Sequence, residues 1–318
     1  MDDVLDFTIG LSQGVAWPWP IAVYLFLAGI SGGSLGVILS MMKLRGIRED
    51  TPLFKAASVL SLGTILLGML CLVLDLTNPL FFWRILVFYN PTSVMSVGVM
   101  MLLFYIPLTA LCTVIALRHD FKWLGGLGRL IETIGEWLNG HRGGITWFAL
   151  IFAFGICAYT GFLISALIRY PLINTAVLPA LFVASGVSAG TAAAKLIAVG
   201  FFHEPANSDS LHLLHKAEWP MMAIELACIF MIAMSMVFGM AADQASIDAF
   251  TEGVWAQVFW IGAIGIGFGI PLVLGICMRG HSASVFWISG LCAITGMMCL
   301  RLFILYAGQL NSLMQVTV

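Results

Sequence analysis

WPWPIAVYLFLAGISGGS, residues Trp17–Ser34, joins two features that decide the fold. Two Trp-Pro pairs open an apolar run, and that run then carries Ser31, Gly32, Gly33 and Ser34 where bulkier apolar side chains would suit lipid better. Pro18 and Pro20 fit the first turn of a helix, because the N–H groups there lack partners in any case. Trp17 and Trp19 fit the headgroup layer, where the ring is buried and the indole N–H stays wet. The segment therefore marks a point at which the chain enters a membrane. Its small residues admit two readings, close approach of another helix or room for a ligand.

Composition extends this reading to the whole sequence. Of 318 residues, 61% are hydrophobic and 9% are charged, and the mean hydropathy is +1.03. A soluble domain carries about 25% charged residues, so this protein is unable to cover itself for water. It reads as an all-α integral membrane protein. The formal net charge of −2 is uninformative about partners, and nothing points to nucleic acid. Met1-Asp2-Asp3-Val4-Leu5-Asp6 is acidic where a cleavable secretory signal needs basic residues. The seven cysteines (71, 112, 157, 228, 277, 292 and 299) lie in apolar runs without a Cys-x-x-Cys spacing. They read as small core hydrophobes rather than a disulfide frame or a metal site.

A spanning helix needs about 20 mainly apolar residues. Eight runs qualify: 20–42, 55–77, 92–117, 145–168, 174–201, 216–241, 254–277 and 283–307. The loops after the odd-numbered spans hold ten Lys and Arg residues, while the even-numbered loops and both tails hold only Arg84 and Arg169. Lys195 and Arg301 sit inside spans. By the positive-inside rule both termini face outward, to the periplasm in a Gram-negative host. In the longest loop, 119–140, Leu124, Leu127, Leu130, Ile131, Ile134, Trp137 and Leu138 recur at helical spacing against Lys122, Arg129, Glu132 and Glu136. This predicts an amphipathic connector on the cytoplasmic surface. Leu25-Phe26-Leu27-Ala28 echoes Leu181-Phe182-Val183-Ala184, and Ile106-Pro107-Leu108 echoes Ile270-Pro271-Leu272. The offset of four spans keeps orientation, as parallel repeats would.

Ionisable groups in hydrocarbon are expensive and tend to be paired or functional. Asp75 ends the second span near the outer face. Arg301 lies about six residues, roughly 9 Å, inside the outer end of the eighth span. An Asp75–Arg301 pair follows from their shared leaflet, structural or functional alike. On the inner side Lys195 matches Glu218 and Glu225 in depth, and the two glutamates are seven apart and face the same way. They read as a salt-bridged pin between consecutive helices or as the inner end of a proton route. The outer leaflet collects Trp17, Trp19, Tyr24, Ser93, Ser96, Tyr159, Ser165, Arg169, Tyr306 and Gln309. Hydroxyls, charges and aromatic walls at one depth suit an amphipathic ring such as a quinone. All six histidines (119, 141, 203, 212, 215 and 281) fall in inner loops or at their edges, whereas a membrane haem needs histidine ligands inside helices. No haem and no metal are therefore expected in this protein, and electrons from a bound quinol would need a cofactor on a partner. The aromatic outer loop Asn78–Pro91 could receive that partner or lie on the lipid, and Asp243, Asp248 and Glu252 could add to docking.

On these residues the sequence resembles the NrfD/polysulfide reductase membrane subunit family, and within it members serving formate-linked cytochrome c nitrite reduction. The matching stretches are WPIAVYLFLAGISGG (19–33), TSVMSVGVM (92–100), AYTGFLISAL with YP (158–167 and 170–171), LPALFVASGVSAG (178–190) and RLFILYAGQL (301–310). The resemblance implies one polytopic domain, residues 1–318, in the bacterial inner membrane. Within it, 20–117 plus 145–168 would form one four-helix bundle and 174–307 a second, with 119–140 as connector. It implies a quinone or quinol site on the outer face, with menaquinone the expected type and no haem. It further implies a periplasmic ferredoxin-like partner with four [4Fe-4S] clusters, and a terminal reductase subunit. Tyr159 matches the tyrosine at the quinone head, and Asp75 matches the acidic position before an Asn/Arg-Pro turn, here Thr77-Asn78-Pro79. Some polysulfide-type members start the first helix with polar side chains. Here Pro18 and Pro20 stand there, which leaves Trp17, Trp19 or another helix to hold the ring.

The expected function is quinol oxidation in the outer leaflet, with electrons passing to an outward-docked iron–sulfur protein. Tyr159, Asp75 and Arg301 would be the reactive group; Trp17, Trp19, Tyr24, Ser93, Ser96, Ser165, Arg169 and Gln309 would line the site. An ion-coupled secondary transporter would also suit parallel repeats and the Lys195/Glu218/Glu225 group, although its site is expected near the midplane. A purely structural membrane anchor for a peripheral reductase is the third class.

Overall fold

The computed structural model describes residues 17–47, 49–74, 90, 93–121, 125–168, 170–205, 208–239, 247–277 and 283–310. Among them there is no strand. The helices are α1 (Trp19–Arg45), α2 (Pro52–Leu74), α3 (Val94–Leu117), α4 (Gly126–Gly140), α5 (Arg142–Ser165), α6 (Leu178–Phe201) and α7 (Asp209–Phe238). Short helices α8 (Asp248–Thr251) and α9 (Gly253–Gln257) lead into a π-helical stretch, Val258–Gly269, which continues as α10 (Ile270–Cys277); α11 (Ala283–Leu310) closes the fold. Among the described residues, eight helices are long and apolar enough to cross a membrane, in the order expected.

Enclosure does not track greasiness. In their most apolar stretches α1 is 83% and α6 67% buried, yet α6 has the lowest mean hydropathy of the eight, 1.5. Lipid is as apolar as leucine, so helices in a bilayer associate by close packing rather than by hydrophobicity. Gly29 and Gly33 of α1, four apart, face Gly186 and Gly190 of α6, also four apart. A Cβ on Gly33 would strike the Gly186 carbonyl oxygen, and one on Gly190 the backbone of Gly33 and Ser34. The adjacent face of α1 does the same toward α5, where a Cβ on Gly32 would meet the Ala153 carbonyl and Cys157 Sγ. The small residues of the opening segment thus serve close approach on two faces.

Ser31 turns to the third face. Its Oγ donates to the Ser61 carbonyl of α2 at 2.7 Å and lies 3.0 Å from both Ser61 Oγ and the Tyr105 hydroxyl of α3. Ser61 Oγ and the Tyr105 hydroxyl are 2.8 Å apart. All three residues are fully buried, so the triad satisfies its own polar atoms where lipid could not.

The seventh span departs from the expected uniform helix. Val258–Gly269 is π-helical over twelve residues, although π-helix is ordinarily a single-turn insertion. Pro271 is the second residue of the α-helix that continues it; it has no N–H for the Gly267 carbonyl, and its ring crowds that turn of an α-helix. Glycines let the widened turn pack: a Cβ on Gly296 of α11 would strike Gly267 Cα. Phe250, Phe259 and Phe303 close the end of this half, with ring centroids 4.7–5.1 Å apart.

At the basic end of the bundle, Asp50 accepts from both Arg118 and Arg142. Arg118 Nε also donates to Glu136 of α4 at 2.9 Å. Partial burial works against the Arg118 charge, but Glu136 and Asp50 outweigh it, and the guanidinium holds its proton more firmly than usual. This ties the connector helix α4 to the spans while Leu130, Ile134 and Trp137 stay exposed and Leu138 is buried. Lys195 of α6 pairs with Glu218 of α7, whose other oxygen lies 3.0 Å from His215 Nδ1. The pin read from their shared depth is present.

The glycine crossing and the ion pair can each be tested by substitution. Gly33→Ala should cost about 1–3 kcal/mol through overpacking, while Gly63→Ala, with nothing within 4 Å of the new Cβ, should be neutral; thermal unfolding in detergent compares them. Lys195→Met should be destabilising by leaving the half-buried Glu218 carboxylate without its cation, and adding Glu218→Gln should recover most of the loss in a double-mutant cycle.

Candidate functional site

Tyr159 is on α5, near the end of the bundle opposite the basic cluster, and is 7% exposed. Its ring and hydroxyl lie directly against Gly98 of α3: a Cβ there would overlap Tyr159 Cζ, Cε1 and Oη. Tyr24 of α1, 2% exposed, rests in the same way on α2, with Cδ2 3.3 Å from where a Gly68 Cβ would stand. The two phenols are electrostatic neighbours. Four helices thus converge on two tyrosines, each fixed by a glycine on the opposing helix. Ser96 of α3 is buried beside the turn that carries Gly98, and Ser93 stands just before that helix without a side-chain capping bond, its N–H donating to the Asn90 carbonyl at 3.1 Å.

Other expected lining residues are engaged elsewhere. The Gln309 amide accepts from the Trp17 N–H at 2.9 Å; its Nε2 donates to the Trp17 carbonyl at 3.2 Å and to the Leu305 carbonyl at 2.8 Å. Both ends of that amide group clasp the start of α1 to the end of α11. Ser165 Oγ donates to the Phe162 carbonyl of its own helix at 3.1 Å. Trp19 is 38% exposed at the first turn of α1. Tyr306 stacks on Trp255 at 4.6 Å between centroids. Asp75, Arg169, the loop 78–89 and Asp243 lie outside the described residues.

Arg301 is fully buried. Its Nη2 donates to the Phe182 carbonyl at 3.1 Å and to Ser185 Oγ at 2.8 Å, and its Cζ sits 3.5 Å from the Phe182 ring centroid. The described carboxylate that interacts with it is Glu225. Depth alone groups Glu225 with Lys195; the structure instead pairs Lys195 with Glu218 and turns Glu225 toward α11. Gly68, Gly98, Phe182 and Ser185, which hold these side chains, are not singled out by the sequence. Gly98 stands within TSVMSVGVM and Phe182 within the Leu-Phe-x-Ala echo, so both signals are present without a direction in space.

Tyr24 and Tyr159 thus set two buried phenol rings at helix–helix contacts near this end of the bundle, and the Tyr159 hydroxyl is hydrogen-bonded to the Gly98 backbone. Among the described residues no three His, Cys, Asp or Glu side chains come together as metal ligands would.

Comparison with known proteins supplies the family. Residues 8–312 match the family model described as polysulphide reductase, NrfD. The sequence is 36% identical over 307 residues to the C component of the polysulfide reductase of Wolinella succinogenes, covering 93% of this protein and 95% of that one. It is 33% identical over 309 residues to protein NrfD of Escherichia coli, covering 94% and 96%. It is 23% identical over 331 residues to the C component of the selenate reductase of Mesobacillus selenatarsenatis, covering 94% and 77%. With eight spanning helices in the expected order and a match along nearly its whole length, the chain is a multi-pass membrane protein and belongs to the NrfD/polysulfide reductase family.

Proposed function

We propose that this protein is the quinol-oxidising membrane subunit of a respiratory reductase complex. The observation that carries the reading is the Tyr24–Tyr159 pair seated on Gly68 and Gly98, which presents fixed phenols near one end of the bundle. Two of the relatives are named as components of polysulfide and selenate reductases, which supports a reductase context. A quinone is flat, needs one or two hydrogen bonds and enters sideways from lipid, and the two phenols near the end of the bundle support that reading.

Tyr159 holds the ring oxygen, and Gly98 holds Tyr159. Oxidation of one quinol releases two electrons and two protons. The electrons leave for an iron–sulfur protein docked at the outer face, and the protons for outer water, with Asp75 as the expected acceptor. Tyr24 and Ser96 wall the ring, Trp19 flanks its approach, and Arg301 contributes positive charge in the same leaflet. A phenol positioned by packing costs no reorganisation when the substrate arrives.

Tyr159→Phe should lower quinol-oxidation turnover about tenfold, the value of one lost hydrogen bond, while the complex still assembles. Gly98→Ala should lower it at least as much by displacing the Tyr159 ring. Wild-type turnover in both purified complexes would refute the site. Broad iron–sulfur absorption in the co-purifying subunits is expected, and its absence would refute the electron-transfer reading.

A further inference from the structure

Four buried side-chain nitrogen and oxygen atoms among the described residues lack a hydrogen-bond partner, and two of them, Nε and Nη1, belong to Arg301. The residue is 0% exposed. Only Nη2 is engaged, by the Phe182 carbonyl and Ser185 Oγ. On α7 the Glu225 side chain, 4% exposed, interacts electrostatically with Arg301, yet no ion pair joins the two, as one does Lys195 and Glu218.

The surroundings offer little else to either group. Phe182 covers one face of the guanidinium. Gly29 of α1 stands beside Nη2. Cys157 of α5 faces the same centre, but its thiol is turned to the Gly29 carbonyl at 3.6 Å. On α7 itself, Cys228 is the neighbour of Glu225. Two buried ionisable groups that interact without a direct bond, one of them with two donors left over, leave a place for something polar between them. Buried water makes about three hydrogen bonds to otherwise unsatisfied groups, and a polar contact longer than a hydrogen bond is where a bridging water belongs.

We propose that Arg301 and Glu225 form the two walls of an internal hydration site. Water there accepts from Nε and Nη1 of the guanidinium and donates to the Glu225 carboxylate. The site lies where α1, α5, α6, α7 and α11 converge, beside the glycine crossing. It gives the membrane interior a carboxyl that can exchange its proton with water while a fixed cation balances its charge. The inference does not depend on quinol oxidation.

A cryo-EM map of the intact complex, at a resolution that shows ordered water, tests it directly. Density within hydrogen-bond distance of both Nε or Nη1 and the carboxylate is expected. A direct guanidinium–carboxylate pair, or a dry gap, would overturn the proposal. Infrared spectra of the same complex in H2O and D2O give an independent readout: the carboxyl band lost in Glu225→Gln should shift on solvent exchange without unfolding, and a band that moves only on unfolding overturns the site. In thermal melts Glu225→Gln, whose amide oxygen can still accept from the water, should stay near wild type. Glu225→Leu, which cannot, should melt at least about 5 °C lower, and equal melting of the two variants counts against the proposal.

Discussion

The backbone-to-backbone approach of α1 and α6 is the constraint on which the rest of this structure depends. Neither helix could surrender its glycines, because carbonyl and amide atoms of one fill the space where side chains of the other would start. A crossing this close places α1 in contact with α2, α5, α6 and α11 at once. It also sets the rotation of α1, and that rotation decides which way Ser31, Tyr24 and Gly29 point. Ser31 then reaches Ser61 and Tyr105, Tyr24 reaches Gly68, and Gly29 leaves room for the Arg301 guanidinium. One steric fact thereby supports a structural triad, the candidate ring site and the buried cation.

Much of this architecture is legible in the sequence. A run of about 20 apolar residues has few uses other than crossing a bilayer, and among the described residues each of the eight runs holds a helix long enough to do so. Depth along the membrane can be counted residue by residue, which is why the Lys195–Glu218 pin is readable. Depth is only one coordinate. It says nothing about which helices are neighbours or how each is rotated, so it groups Glu225 with the cation on the preceding span when that side chain faces the one on α11. The Tyr159–Gly98 contact is hidden for the same reason, since it depends on how α3 and α5 are turned.

The π-helical stretch is illegible for a different reason. Helical periodicity shows itself by contrast between polar and apolar faces, and VFWIGAIGIGFG has no polar face. Its glycines and Pro271 are visible, but a uniformly apolar segment gives no sign of how many residues make a turn. The region is also where the second half of the protein departs from the first: Pro107 sits inside a regular α-helix, whereas Pro271 sits just past a widened one. An echo between segments of sequence does not extend to their backbone geometry.

The Gln309 clasp bears on biogenesis. A polytopic protein is threaded into the bilayer from its leading end, so α1 is delivered long before α11 emerges from the ribosome. Until that last segment arrives, the Trp17 backbone has neither of the two amide bonds it makes in the finished molecule. Every earlier insertion stage therefore lacks this clasp at the start of α1. The clasp forms only with Gln309 of α11 in place, so it distinguishes a molecule that has inserted this helix from one stalled before it.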